Sequence, residues 1–406
     1  MVNIGIDLHK TQFTICVRGQ EGNAFGKYPT TEEGYTAFIQ RTAEWRGTGE
    51  EVRLGVESTG NTRYFRDKME CAGMKVVVIN TLKLKVVTES VKKTDKHDAA
   101  TIAEFLEKDM LPESKLCSRE SEQLRRLLKA RGALVRTEVV VKNQIHGLIT
   151  ALGMEDIKGS LQSKRGRKQI LDALRQCENG LVAGPLFETI ERLEENINSI
   201  EEVIRGLVEG DRVVELLLTI PGCGEIGAWT IRAWTDDIGR FISPKKYVSY
   251  AGLAPWVQDS NETIHHGKIT KRGPKELRTA LVQVVMGWRR MKQKTLAWRL
   301  MERYEMMKKN KGSGKAIIAT ARKVAVIVWH MLSNEVAFDV GQMTSVKPSK
   351  KSDAVKESVK VVEEAEAVAE EKPAVLEKKP VIIKKNDTNK GKEKTGVARK
   401  KMKKVG

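Results

Sequence analysis

The chain has 406 residues, 40% of them hydrophobic, and carries 72 Lys and Arg against 53 Asp and Glu, a formal charge of +19. That length accommodates two or three domains with sizeable cores, and the composition is that of an ordinary globular protein. The positive excess attracts polyanions. No apolar run approaches the roughly 20 residues that span a bilayer, and the opening Met-Val-Asn-Ile-Gly-Ile-Asp lacks the regions of a signal peptide. Nucleic acid is therefore the expected partner, no membrane is expected, and the expected location is cytoplasmic.

Residues 2–9 and 12–18 alternate with β-rich character, and 24–29 add a third strand. A helix over 31–45 follows, with Thr31 as a cap and Phe38, Ile39 and Trp45 on its apolar side. Then come a strand at 51–58, a helix at 62–72 and a near-continuous apolar strand at 74–80. Strands meeting first as hairpins and then alternating with helices imply a mixed sheet with helices on its faces. From 119 to 208 the pattern is helical. Leu127, Leu134, Val141 and Leu148 recur every seven residues, and Leu186, Ile190, Leu193, Ile197, Ile200, Ile204 and Leu207 step alternately by four and three. Such a seam fits either a helix hairpin packed on itself or a coiled-coil dimerisation arm.

A third block, 209–335, opens on Thr219-Ile-Pro-Gly-Cys-Gly-Glu-Ile-Gly227, a Gly-rich turn of the sort that grips DNA phosphates through backbone N–H groups. Residues 345–406 contain no aromatic residue and carry a net +8, which leaves +11 on residues 1–344 of the total +19. This tail buries too little apolar surface to fold alone, and its Lys400, Lys401, Lys403 and Lys404 add non-specific phosphate affinity. Cys16, Cys71, Cys117, Cys177 and Cys223 are scattered, with no Cys-x-x-Cys pair, and read as reduced thiols without assigned function.

Four acids stand out. Asp7 lies mid-strand between Ile6 and Leu8, and Glu57 ends the strand Leu54-Gly-Val-Glu. Asp95 and Asp98 share one face of a helix that Thr94 caps. Singly, each is an ordinary solvated charge or cap. Together they repel one another and call for a hard divalent cation, Mg²⁺ or Mn²⁺, whose pairs move phosphoryl groups.

At these residues the sequence resembles the DEDD transposases of the insertion-sequence-110 type. The likeness runs through Gly5-Ile-Asp-Leu-His-Lys10, Gly55-Val-Glu-Ser-Thr-Gly60 and Lys93-Thr-Asp-Lys-His-Asp-Ala99. It continues in Ile220-Pro-Gly-Cys-Gly224, in Phe241 to Gly252-Leu-Ala-Pro255, and in Gly267-Lys-Ile-Thr-Lys-Arg-Gly273. The resemblance implies an RNase H-like (Holliday-junction-resolvase-like) α/β domain over 1–118, a helical coiled-coil region over 119–208, and a mostly α transposase domain over 209–335. A disordered Lys/Glu-rich tail over 336–406 completes the expected organisation. It further implies that Asp7, Glu57, Asp95 and Asp98 are catalytic metal ligands and that a serine between the last two motifs is the nucleophile. Ser260 is the only serine between Pro255 and Gly273, in Asp259-Ser-Asn-Glu262 where many relatives carry a Ser-Ser-Gly-Gly type loop. Without the resemblance, Ser260 reads as a turn residue.

Lys268, Lys271, Arg272, Lys275, Arg278, Arg289 and Arg290, followed by Lys292 and Lys294, are the expected nucleic-acid contacts. Trp288 and Trp298 among them fit either base stacking or a core. Gly312-Ser-Gly-Lys315 lacks P-loop spacing, which excludes an ATPase. The expected function is a nucleoid-associated bacterial or archaeal transposase that cuts and rejoins DNA. By resemblance it uses a structured guide RNA and acts as a dimer or tetramer. The alternatives are a metal-dependent junction endonuclease and a non-catalytic nucleic-acid-binding protein.

Overall fold

Among the described residues, five strands and the three helices named below build the N-terminal block of the computed structural model. It describes residues 1–19, 22–47, 49–81, 83–84, 94–154, 159–176, 181–260, 263–295 and 298–343. Strands β1 (Val2–Leu8), β2 (Gln12–Gly19) and β3 (Gly22–Pro29) form an antiparallel meander. Helix α1 (Glu32–Gly47) leads to β4 (Val52–Glu57), then α2 (Thr62–Cys71), β5 (Lys75–Ile79) and α3 (Asp95–Glu107). The sheet order is β3-β2-β1-β4-β5, with β1, β4 and β5 parallel. The expected mixed α/β arrangement is present, and the chain as a whole is mostly helical.

Strand alternation sorts this sheet into two faces. Ile4, Ile6 and Leu8 of β1, Phe13, Ile15 and Val17 of β2, and Val52, Leu54 and Val56 of β4 are buried in one core with Tyr35 and Phe38 of α1 and Phe65 and Met69 of α2. The opposite face carries Asn3, Gly5, Asp7, Thr14, Cys16, Gly55 and Glu57, and there α3 lies unusually close. A Cβ on Gly5 would fall 2.0 Å from the Ala99 carbonyl oxygen and 2.4 Å from the Ala103 nitrogen. A Cβ on Gly55 would fall 2.8 Å from the Ile102 side chain. Two glycines and the small Ala99, Ala103 and Cys16 thus let α3 rest almost on the backbone of the sheet.

The helical middle consists of α4 (Arg119–Ala151), about 50 Å long at 1.5 Å per residue, with α5 (Lys164–Arg175) and α6 (Ala183–Leu207). Ile190, Leu193, Ile197 and Ile204 of the heptad seam are buried against α4 of the same chain, with Val141 and Ile145 facing them at the far end. The seam is therefore an intrachain helix hairpin, and Leu207 at its end stays exposed. Arg167, itself buried, clamps Glu194 through two hydrogen bonds of 2.6 and 2.8 Å.

The C-terminal block contains α7 (Arg212–Leu218), α8 (Glu225–Thr235), α9 (Pro244–Tyr250), the hairpin β6 (Pro255–Ser260) and β7 (Thr263–Ile269), then α10 (Lys275–Arg290), α11 (Lys292–Thr295), α12 (Arg299–Lys311) and α13 (Ser313–Ser333). Its core is rich in aromatic residues, with Trp229, Trp288, Tyr247 and Tyr304 among the largest fully buried side chains.

At four places the structure corrects an expectation or decides between alternatives. The 220–224 turn is built into packing: Gly222, at φ +77°, sits against the backbone of Gly287, and the Trp288 indole N–H donates to the Pro221 carbonyl at 2.7 Å. Trp288 and Trp298 are core residues, edge to face at 5.3 Å, and offer no surface to a base. Residues 336–343, expected in the tail, belong to the folded part: the Phe338 ring lies 6.3 and 6.0 Å from those two indoles, and its N–H donates to Thr219 Oγ1 at 2.9 Å. Residues 344–406 lie outside the described residues, as do Lys93 and Cys177. Finally, the 21-residue α13 is long and apolar enough to cross a membrane by length and composition. In this structure it is a core helix, burying Ala316, Ala321, Val324, Ala325, Val328 and Leu332 against α9, α10 and α12.

Candidate active site

The parallel pairing of β1 and β4 runs from Val2–Val52 to Ile6–Val56, so Asp7 and Glu57 continue it side by side at the carboxyl ends of adjacent strands. Both lie on the face that α3 covers. The close seat of α3 on Gly5 and Gly55 brings its first turn, Asp95 and Asp98, to the same end. Thr94 caps that turn by accepting the His97 N–H at 3.2 Å, and the helix dipole favours carboxylates there. Sheet register and one close helix contact therefore bring Asp95 and Asp98 to Asp7, with Glu57 on the neighbouring strand end. Of the four, only Asp7 and Asp95 offer ligand atoms within 4.8 Å of each other, with His9 as the third member.

Asp7 Oδ2 lies 3.0 Å from His9 Nε2, which lies 3.6 Å from Asp95 Oδ1. Lys27 Nζ stands 3.8 Å from Asp95 Oδ2. Asp7 is only 9% exposed. Burial raises its carboxyl above the ordinary value; His9 opposes this, while Asp95 and Asp98 add to it. A divalent cation would relieve both causes at once. Asp7, His9 and Asp95 each offer a ligand atom within 4.8 Å of the others. Thr14, directly across from Asp7, is fully buried, and its hydroxyl has no hydrogen-bond partner among the described residues. An oxygen-rich donor set of this kind fits a hard divalent ion.

His9, Thr14 and Lys27 escape a reading of the sequence alone. His9 follows Asp7 by two residues, a detectable signal at a strand end. Lys27 reaches the site only because Asp7 pairs with Thr14 and Thr14 with Lys27 across three strands.

Ser260 ends β6 opposite Thr263; its side chain lies outside the described residues, and the structure does not join it to the acids. The base of the hairpin is well defined. A Cβ on Gly273, at φ +131°, would fall 1.9 Å from the Tyr250 carbonyl oxygen. The Lys271 N–H donates to Gly252 at 3.2 Å and the Thr270 N–H to Ala254 at 2.9 Å. The Gly-Leu-Ala-Pro and Gly-Lys-Ile-Thr-Lys-Arg-Gly segments are thus the two sides of one hairpin stem. Of the basic residues, Lys268, Lys271, Arg272, Lys275 and Arg290 are exposed. Arg278 holds the stem, its guanidinium donating to the Ala251 carbonyl at 3.2 Å. Arg289 lies over the Tyr304 ring at 5.8 Å.

A polar latch joins the N-terminal and C-terminal blocks. The Ser118 N–H donates to both Asp236 carboxylate oxygens at 3.1 and 3.3 Å, and Arg125 donates to the Ala233 carbonyl at 2.8 Å. Burial alone would raise the Asp236 carboxyl, yet hydrogen bonds from Ser118 and Ser121 hold it below its ordinary value. Acids and hairpin accordingly belong to one compact unit, Met1–Ser345.

Carboxylates gathered at strand ends and a basic hairpin in the same unit are compatible with an enzyme that works on nucleic-acid backbones. Comparison with known proteins agrees. Residues 4–154 match a DEDD transposase family of the IS110 type, and residues 214–299 match the family described as Transposase IS116/IS110/IS902. The chain is 25% identical over 349 residues to the transposase for insertion sequence element IS1111A of Coxiella burnetii, covering 83% of this chain and 91% of that one. It is 24% identical to a probable family 20 transposase of Pseudomonas aeruginosa, over 71% of this chain and 86% of the relative. It is 26% identical to the pilin gene-inverting protein of Moraxella bovis, over 83% and 97%. The chain belongs to the DEDD transposases of the insertion-sequence-110 type and is an enzyme of DNA transposition and recombination. Membership in a DEDD family points to divalent-metal use, and the Asp7–His9–Asp95 group has the donors for it.

Proposed function

We propose that this transposase cuts and rejoins the DNA strands of its own insertion sequence through two half-sites, an acidic tetrad and a serine. Asp7, Glu57, Asp95 and Asp98 would hold Mg²⁺ or Mn²⁺, on an N-terminal domain read as RNase H-like from its 3-2-1-4-5 sheet order with three antiparallel strands followed by two parallel ones. The observation that carries this reading is the convergence of Asp7 and Asp95 around His9 at the open end of that sheet. When bound, the metal supplies charge neutralisation for phosphoryl transfer. His9 orients Asp7, and Lys27 balances Asp95.

Ser260 is the nucleophile in this reading. Its hydroxyl gives up a proton as the Oγ–phosphorus bond forms, the DNA phosphorus–oxygen bond breaks, and the departing deoxyribose oxygen takes up a proton. The phosphoserine link keeps the phosphodiester energy, and a second strand's hydroxyl reseals it in reverse. Lys268, Lys271, Arg272, Lys275 and Arg290 bind phosphates around the hairpin, with Arg278 and Arg289 supporting them from within. A guide RNA that selects target and donor, and assembly as a dimer or tetramer, complete the reading by resemblance to the family.

The test is covalent trapping. Protein incubated with element-end DNA and Mg²⁺, then denatured, should carry a DNA adduct that Ser260→Ala abolishes. Cleavage that survives in Ser260→Ala without any adduct would replace this reading with metal-dependent hydrolysis.

A further inference from the structure

Six of the seven tryptophans are buried or half-buried; Trp256 alone is exposed, with 51% of its surface open to solvent. It stands near the start of β6, where the pairing slips by one residue: Pro255 faces Ile269, but Val257 faces His266. Gly267 on the opposite strand makes room for it. A Cβ there would fall 2.8 Å from Trp256 Cε3 and 3.3 Å from the Trp256 carbonyl oxygen. The indole therefore rests on the bare backbone of β7, a seat that any side chain at 267 would disturb. A large aromatic surface left in water has no folding rationale here, since the indoles of the core are enclosed elsewhere.

Its surroundings are cationic. From Trp256 to Glu276 the sequence has Lys268, Lys271, Arg272 and Lys275 against Asp259, Glu262 and Glu276, and the cations are grouped on the β7 side beside Gly267. Those four basic side chains are exposed. A seated, exposed aromatic ring with exposed cations close by in sequence is the make-up of a surface for single-stranded nucleic acid, on which an unpaired base stacks while its backbone follows the positive charge.

We propose that Trp256, seated on Gly267, is a stacking platform for an unpaired base of the DNA strand being exchanged. The inference rests on the reading that the β6–β7 hairpin handles DNA, and it deepens that reading. Trp256 precedes Ser260 by four residues of the same strand, about 13 Å at 3.3 Å per residue. That span is a few nucleotides of single strand at roughly 3.4 Å each. The platform holds DNA at the moment strands are unpaired, and it discriminates single strands from duplex because a paired base offers no free face.

The experiment uses the full chain with a fluorescein-labelled thymidine oligonucleotide, a matched duplex and a uridine oligonucleotide, alongside circular dichroism of each variant. Trp256→Ala should weaken thymidine-strand binding roughly tenfold, the loss of about one stacked base, while duplex binding changes little. Trp256→Phe should restore most of the affinity, and Gly267→Ala, which keeps the indole but displaces it, should weaken binding in the same direction. Equal binding by Trp256→Ala and the parent would overturn the proposal. So would equal losses in Trp256→Ala and Trp256→Phe, or a loss confined to the uridine strand, which would assign the surface to RNA. Failure of the underlying reading is separable: it would appear as DNA cleavage that survives in Ser260→Ala without an adduct, whatever the Trp256 variants do.

Discussion

The acidic site and the serine hairpin are built on opposite plans. The acids hang from the ends of a five-stranded sheet and the first turn of a helix pressed against it, so register and packing set their spacing before any ligand arrives. The hairpin is a two-stranded sheet held mainly at its base, by the Gly273–Tyr250 approach and the Arg278 hydrogen bonds. Two strands without a third are marginal on their own. The contrast suits the division of labour: carboxylates that must share a cation need fixed distances, whereas a nucleophile must meet DNA that changes partners. Both plans depend on glycines, in one case to admit a helix and in the other to admit a carbonyl.

Of all substitutions at the two sites, one at Gly5 should have the largest effect. Gly5→Val would place side-chain atoms where the Ala99 carbonyl and Ala103 nitrogen now stand, forcing α3 away from the sheet. Chemical denaturation should show a loss of about 3 kcal/mol or more, as expected for overpacking against backbone, together with loss of DNA cleavage. Unchanged stability would mean that α3 does not set the acidic site. At the hairpin the expected effect is smaller. Arg278→Ala removes a charged donor from the Ala251 and Lys271 carbonyls. It should cost about 1.5 kcal/mol and reduce adduct formation while leaving metal affinity as it was. If metal affinity fell with it, the two half-sites would be coupled more tightly than their separate construction implies.

Much of the N-terminal block was legible in the sequence because its signals are local. Alternation marked the strands of Ile4–Leu8 and Phe13–Val17, Thr31 and Thr94 marked helix starts, and the order of the acids matched a family pattern. What escaped depends on distant pairings. Lys27 joins Asp95 only through the β2–β3 register, and Trp256 becomes a surface feature only because Gly267 lies across from it. The heptad seam was readable as a pattern, but its partner was not, since periodicity is the same whether the covering helix is α4 or a second chain. The indoles of Trp288 and Trp298 stayed open between core and stacking for a related reason: basic neighbours in sequence occupy the outer face of a helix whose inner face is core. Phe338, too far from its partners in sequence for any local signal, closes that same core.

Titration of Mn²⁺ followed by electron paramagnetic resonance tests directly whether the strand-end acids form a divalent-metal site. The parent protein should deplete the free Mn²⁺ signal saturably, and Asp7→Asn, folded as judged by circular dichroism, should bind at least about tenfold more weakly. Identical Mn²⁺ binding in the parent and Asp7→Asn would rule out a metal site at Asp7, leaving the cluster as an ion-paired strand end.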